Sequence, residues 1–158
     1  MSTNIIFMGT PEFSVPALRE IHKNFKIKCV ISQPPRKADR GQKNLKCPVQ
    51  IFAEQNNLII KTPHKIEDEY NYLEKINIDL AIVVAYGQII PSKILALSKK
   101  GFINIHASLL PKWRGAAPIQ RSIMSGENIT GITIMKIEEK LDSGPILMSK
   151  SISSKNLT

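Results

Sequence analysis

Apolar residues in this chain come in short clusters, and their spacing changes from cluster to cluster. The run from Asn4 to Gly9 (Asn-Ile-Ile-Phe-Met-Gly) is short and uninterrupted, which fits a buried strand closed by glycine. Thr10 and Pro11 then predict a helix start, with Thr10 as N-cap and Pro11 in the first turn. Val15, Leu18 and Ile21 recur at helical spacing on its inward side. Ile27 to Ile31 and Leu58 to Ile60 predict further strands, with a helix from Pro48 to Gln55 between them and a helical stretch over 64–76. Ile78 to Ala85 is apolar enough for a central parallel strand covered on both faces. A short helix over Pro91–Leu97, a strand over Gly101–His106 and a helix over Ala116–Met124 follow. The chain closes with strands over Ile129–Ile137 and Ile146–Ile152 around the turn Leu141-Asp-Ser-Gly-Pro145.

Strands alternating with helices predict an α/β fold: a Rossmann-like, mostly parallel sheet with helices on both faces. The final two strands, joined by a tight segment, predict an antiparallel edge. In such sheets ligands bind beyond the carboxyl ends of the strands, where the strand order reverses. Asn104 and His106 lie at one such end.

The length of 158 residues is one domain's worth of chain, and the 42% hydrophobic content supports a core. No basic stretch followed by a long apolar run opens the chain, and the run Leu80–Tyr86 is too short to span a membrane. Cys29 and Cys47 lack metal-ligand spacing, so a cytoplasmic protein without disulfides or metal is expected. The net charge of +9 is unevenly placed. Residues 23–46 hold eight basic side chains against the single acid Asp39, whereas residues 51–100 hold six of each. The loop over 33–47, rich in Pro and Gly and without an apolar period, reads either as a solvated surface loop or as a contact for phosphates.

The chemistry concentrates in Gly101–Gln120. Asn104 and His106 are two apart on a strand, so they project to one side, about 6.6 Å apart along it. Asn is depleted in strands. An amide donor beside an imidazole suits acyl transfer, in which a carbonyl oxygen becomes negative. A capping Asn and a satisfied structural His explain the same spacing equally well. Ser108 follows His106, but no second base marks it as a nucleophile. Asp142 is the best carboxylate to orient His106, although Asp-Ser-Gly is also ordinary turn chemistry. Met8-Gly9-Thr10-Pro11 is no dinucleotide fingerprint, because Pro11 and Glu12 replace the glycines it needs.

Asn-Ile-His-Ala-Ser-Leu-Leu-Pro at 104–111 resembles the motif of the formyltransferases that use 10-formyltetrahydrofolate. Lys-Trp-Arg-Gly-Ala-Ala-Pro-Ile-Gln-Arg at 112–121 is similar to the methionyl-tRNA formyltransferases rather than to the glycinamide ribonucleotide enzymes. Ile-Ile-Phe-Met-Gly-Thr-Pro-Glu-Phe at 5–13, Val-Val-Ala-Tyr-Gly at 83–87, Gly-Ile-Thr-Ile-Met at 131–135 and Leu-Asp-Ser-Gly at 141–144 extend the resemblance. It implies a catalytic trio of Asn104, His106 and Asp142 and a folate loop of Ser108, Leu109, Leu110 and Pro111. The backbone of Tyr86, Gly87, Gln88, Ile89 and Ile90 would wall the pterin. The basic loop would meet the acceptor stem of initiator methionyl-tRNA through Arg36, Lys37, Arg40 and Lys43, with Arg40 foremost, and Phe13 would wall the methionyl side chain. The resemblance implies 10-formyltetrahydrofolate as formyl donor and neither a metal nor a membrane; no protein partner is inferred. Residues 1–158 would be the catalytic domain, shortened at its carboxyl end, with no counterpart of the family's carboxyl-terminal tRNA-binding domain. Two alternatives remain: formyl transfer to a small amine such as a sugar nucleotide or glycinamide-type acceptor, and a non-catalytic remnant that binds folate or RNA.

Overall fold

The structure is a computed structural model and describes residues 3–37 and 44–154. It divides into two compact units, residues 1–102 and 103–158.

The first unit is built on parallel strands. Strand β1 (Ile5–Gly9) pairs in parallel with β2 (Ile27–Ile31) on one side and β6 (Leu80–Val84) on the other. The short β5 (Ile60–Lys61) adds to β2, giving the order β5-β2-β1-β6. All five residues of β1 are buried, so both of its faces are covered, as the unbroken apolar run predicts. Helices α1 (Val15–Asn24), α2 (Pro48–Gln55), α3 (Tyr70–Ile76) and α4 (Ser92–Leu95) connect the strands. Each contributes buried apolar side chains, among them Leu18, Val49, Leu73 and Ile94. The first strand leads to β2 on one side while β6 lies on the other, so the strand order reverses beyond the carboxyl ends of β1 and β6.

Three local expectations are corrected. Thr10 does not cap a helix: Pro11 precedes a 3₁₀ turn over Glu12–Ser14, and α1 begins at Val15. The Thr10 hydroxyl is drawn away, donating to the Tyr86 carbonyl at 2.8 Å. The stretch 64–76 is a 3₁₀ turn over Ile66–Glu69 that runs into α3 rather than one helix. The basic loop contains a two-residue antiparallel ladder, β3 (Arg36–Lys37) with β4 (Asn44–Leu45). A ladder this short has no period for a sequence reading to detect.

The second unit is antiparallel. Strand β7 (Phe102–His106) pairs with β8 (Ile129–Lys136), and β8 with β9 (Ile146–Ser153). Helix α5 (Pro118–Met124) lies between β7 and β8 in sequence. Along β8 the residues Gly131, Thr133 and Met135 are buried, and Asn104 and His106 stand opposite Met135 and Thr133. Every residue of β9 is exposed, including Ile146, Leu147, Met148 and Ile152.

Candidate active site

His106 ends β7 and is buried, and both of its ring nitrogens meet oxygen. Nε2 lies 3.0 Å from the carbonyl of Trp113. A carbonyl only accepts, so Nε2 carries the proton in this arrangement. Nδ1 lies 3.7 Å from a carboxylate oxygen of Asp142, whose side chain is 9% exposed. That same oxygen accepts the backbone N–H of Gly115 at 2.7 Å. Asp142 is therefore more than a turn residue: its carboxylate ties the 141–145 turn to the segment after Trp113 while it faces the imidazole.

The backbone that delivers this carboxylate is unusual. Asp142 has a φ of 47°, in the left-handed region that most side chains avoid but Asp tolerates. The turn packs so closely that a Cβ on Gly144 would lie 1.9 Å from the Lys136 carbonyl oxygen, so only glycine fits there. Trp113 also has positive φ, 60°, which is a true outlier for so large a residue. Three contacts hold it. Its carbonyl takes the His106 bond, its Nε1 donates to Glu127 at 3.1 Å, and the Arg121 guanidinium lies 5.1 Å from its ring. Glu127 also accepts from Lys112 at 2.8 Å. The Lys112 bond first, and the Trp113 bond second, hold the Glu127 carboxyl below its ordinary value.

Asn104 shares the strand face of His106 and is half-buried. Its side-chain amide makes no hydrogen bond among the described residues. The pair thus combines a committed imidazole with an uncommitted amide donor.

The loop after His106 is knitted by its own polar groups. The Ser108 hydroxyl is buried and donates to the Lys112 carbonyl at 2.6 Å. The Thr133 hydroxyl donates to the Ser108 carbonyl at 2.7 Å and accepts the Leu110 N–H at 3.1 Å. The Leu110–Pro111 peptide is cis. Leu109, Pro111, Lys112 and Trp113 line an open pocket of about 280 Å³ together with Glu127, Ile129 and Thr130.

The remaining sequence-predicted residues lie in the first unit. Tyr86 is 1% exposed, and burial first, then Glu67 and Glu69, push its hydroxyl well above the usual tyrosine range. Its ring belongs to the core, so only its backbone is open to a ligand. Gly87 and Ile89 are exposed, Gln88 is half-buried and Ile90 is buried. Phe13 is 38% exposed in the 3₁₀ turn, and Arg36 and Lys37 are exposed on β3. Arg40 and Lys43 lie outside the described residues. Sequence reasoning missed the Trp113 carbonyl, Glu127 and the bridging hydroxyl of Thr133. Thr133 and Trp113 sit inside the motifs at 131–135 and 112–121, whereas Glu127 carried no signal.

The sequence profile of the formyl transferase family matches residues 3–155. The chain belongs to that family. It is 60% identical over 150 residues to a protein named methionyl-tRNA formyltransferase from Pelagibacter ubique (strain HTCC1062), covering 92% of this chain and 48% of that one. It is 51% identical over 158 residues to the protein of the same name from Thermodesulfovibrio yellowstonii, covering 97% and 51%. The chain therefore spans about half the length of the curated relatives it matches. Among solved structures, it is similar to phosphoribosylglycinamide formyltransferase from Bacillus halodurans, with a TM-score of 0.77 at 20% identity over 98% of this chain and 81% of that one. A formyltetrahydrofolate deformylase from Pseudomonas syringae pv. tomato gives 0.74 at 22% identity, over 100% and 53%. At such identities the likeness shows the fold: the α/β arrangement of parallel strands with an antiparallel edge that the sequence predicts. Among the described residues no helix is long and apolar enough to cross a membrane, and no group of three or more His, Cys, Asp or Glu is placed to hold a metal ion.

Proposed function

We propose that this chain is the catalytic domain of a methionyl-tRNA formyltransferase acting in the cytoplasm. It transfers the formyl group of 10-formyltetrahydrofolate to the α-amine of initiator methionyl-tRNA. The observation that carries the reading is the uncommitted amide of Asn104 on the same strand face as the buried His106–Asp142 pair. The reading of methionyl-tRNA rather than a small amine as acceptor is supported by the name of a relative 60% identical to this chain.

The free amine attacks the formyl carbon, a C–N bond forms, and the carbonyl electrons move onto oxygen. The Asn104 amide N–H and a ring N–H of His106 hold that oxyanion, the kind of stabilisation worth about 3–4 kcal/mol per donor. Because Nε2 is bonded to the Trp113 carbonyl, the formyl oxygen must replace that carbonyl as acceptor. The intermediate collapses by breaking the bond to N10 of the folate. The amine loses its proton, N10 gains one, and the Asp142–His106 pair relays it. Ser108, Leu109, Leu110, Pro111 and the backbone of Tyr86 to Ile90 bind the folate. Phe13 meets the methionyl side chain, and Arg36, Lys37, Arg40 and Lys43 meet RNA phosphates.

The test is an acceptor competition. The chain is supplied with 10-formyltetrahydrofolate and equal methionyl-tRNA and glycinamide ribonucleotide, and the formylated products are quantified. Formylmethionyl-tRNA should dominate, and Asn104→Ala should reduce its formation about 100- to 1,000-fold. Preferential formylation of the small amine, or an Asn104→Ala rate equal to wild type, would overturn the assignment.

A further inference from the structure

Three chain segments meet beyond the carboxyl ends of β1, β2 and β6, and two polar side chains tie them together. The Thr10 hydroxyl donates to the Tyr86 carbonyl at 2.8 Å and accepts the backbone N–H of Gln33 at 3.2 Å. Gln33 is the first residue of the basic loop. Its side chain turns back: Oε1 accepts from Gln88 Nε2 at 3.4 Å. Gln88 in turn donates to the Pro63 carbonyl at 3.2 Å and accepts the Ile66 N–H at 2.9 Å. The Gln33 amide also lies against Gly87. A Cβ at Gly87 would sit 3.0 Å from Gln33 Nε2, and the φ of 92° there already excludes most side chains.

One residue thus holds the root of the basic loop through its backbone and the Gly87–Gln88 segment through its side chain. These are the two segments that the proposed function gives to RNA and to folate. We infer that Gln33 is a positioning residue that couples them: RNA phosphates held by Arg36 and Lys37 favour the position of Gln33 that orders Gly87 and Gln88 for folate, and folate does the reverse. The long 3.4 Å bond between the two amides suits such a role, since it is one contact that a bound ligand can tighten. The Gln33 side chain bonds an uncharged amide, that of Gln88. Its effect is on affinity rather than on the chemical step.

The inference rests on the proposed pair of ligands, and the experiment separates the two ideas. Tetrahydrofolate, the unreactive product, is titrated into the chain by calorimetry with and without saturating methionyl-tRNA, and the reverse titration is run. In wild type each ligand should tighten the other by the same factor, about fivefold or more. Gln33→Ala should bring that factor below about twofold. Gln33→Asn, too short to reach Gln88, should do the same. Gln33→Glu keeps an acceptor of the right length and should retain the coupling. The turnover number at saturating substrates should stay near wild type in each of these Gln33 variants. A half-buried loop residue is a tolerant site, and melting curves check that each variant folds. Binding of both ligands without mutual tightening in wild type, or coupling that survives Gln33→Ala, would overturn the inference alone. Failure to bind either ligand would remove the functional reading, and this inference with it.

Discussion

The contact between Asp142 and His106 offers the sharpest perturbation. In Asp142→Asn the side chain keeps its shape. Its amide oxygen can still accept the Gly115 N–H that the carboxylate now takes at 2.7 Å. That same oxygen is the atom 3.7 Å from Nδ1 of His106, so the ring keeps an acceptor beside it but loses the negative charge. Nε2 keeps its bond to the Trp113 carbonyl. An imidazolium formed while the ring passes a proton then lacks its counter-charge, which weakens the relay. Stability should change by only about 1 kcal/mol, the worth of one hydrogen bond, whereas transfer should slow about 100- to 10,000-fold. At about 1.4 kcal/mol per factor of ten, that slowing is about 3–5 kcal/mol of barrier. Asp142→Ala separates structure from chemistry. It leaves the Gly115 N–H without an acceptor, at a cost of about 1–3 kcal/mol. For a chain of this size that lowers the melting temperature by about 2–4 °C per kcal/mol. Single-turnover formylation of methionyl-tRNA, paired with thermal melts, reads both effects. The Asn variant should melt near wild type and be nearly inactive. An Asn variant that transfers formyl groups within about threefold of wild type would refute the role given to the carboxylate.

Removing Arg36, Lys37, Arg40 and Lys43 together should flatten the salt dependence of methionyl-tRNA binding by up to about 3.6 in log–log slope, at roughly 0.7–0.9 per phosphate contact; an unchanged slope would make the basic loop a bystander. Cys29 should give the fold a distinctive alkaline weakness. Burial pushes its thiol up from 9.0 to about 12, with the Tyr72 hydrogen bond opposing the rise. Above about pH 9 the unfolded chain releases this proton and the folded chain keeps it, so folding stability should fall by about 1.4 kcal/mol per pH unit up to about pH 12. Denaturant melts of Cys29→Ala should show a shallower fall than wild type over that range, and parallel slopes would refute the attribution. Met148→Thr with Ile152→Thr should change stability by no more than about 1 kcal/mol in total, because both side chains are about half exposed, while reducing association at high concentration measured by light scattering.

The sequence made the strand-by-strand plan legible because its apolar runs are short and unmixed: Ile5–Gly9 and Phe102–His106 each appear within a residue of their expected bounds. The spacing of Asn104 and His106 was equally readable, since two residues apart on a strand means one face. What escaped detection depends on partners distant in sequence. A backbone carbonyl such as that of Trp113 has no residue type to announce it, and its approach to His106 depends on a positive φ that a Trp would not be expected to adopt. Glu127 looks like any exposed acid until Lys112 and Trp113 converge on it. Thr10 before Pro11 reads as a helix cap on local grounds, and a tertiary acceptor, the Tyr86 carbonyl, wins its hydroxyl.

Ser108 decides whether the formyl group ever rests on the protein. A hydroxyl two residues beyond a histidine invites a nucleophilic role, which needs a base to take its proton and a free path to the carbonyl carbon. Here the Ser108 proton is given to the Lys112 carbonyl at 2.6 Å, its side chain is buried, and both described partners of the His106 ring lie elsewhere. The hydroxyl shapes the loop that the folate is proposed to use. Ser108→Ala removes one donor to a carbonyl on an exposed residue, where water can replace it, so the stability cost should be about 1 kcal/mol. The same change should raise KM for 10-formyltetrahydrofolate while leaving the rate at saturating folate within about tenfold of wild type, since the loop and not the reacting atoms has been altered. Kinetics varying both substrates should show intersecting lines, the pattern of direct attack within a ternary complex, rather than the parallel lines of a covalent enzyme intermediate. Mass spectrometry of enzyme quenched during turnover should find no formyl group on Ser108. A trapped formyl ester there, or a loss of about a thousandfold or more in the Ala variant at saturating folate, would replace direct attack by the amine with a two-step transfer through serine.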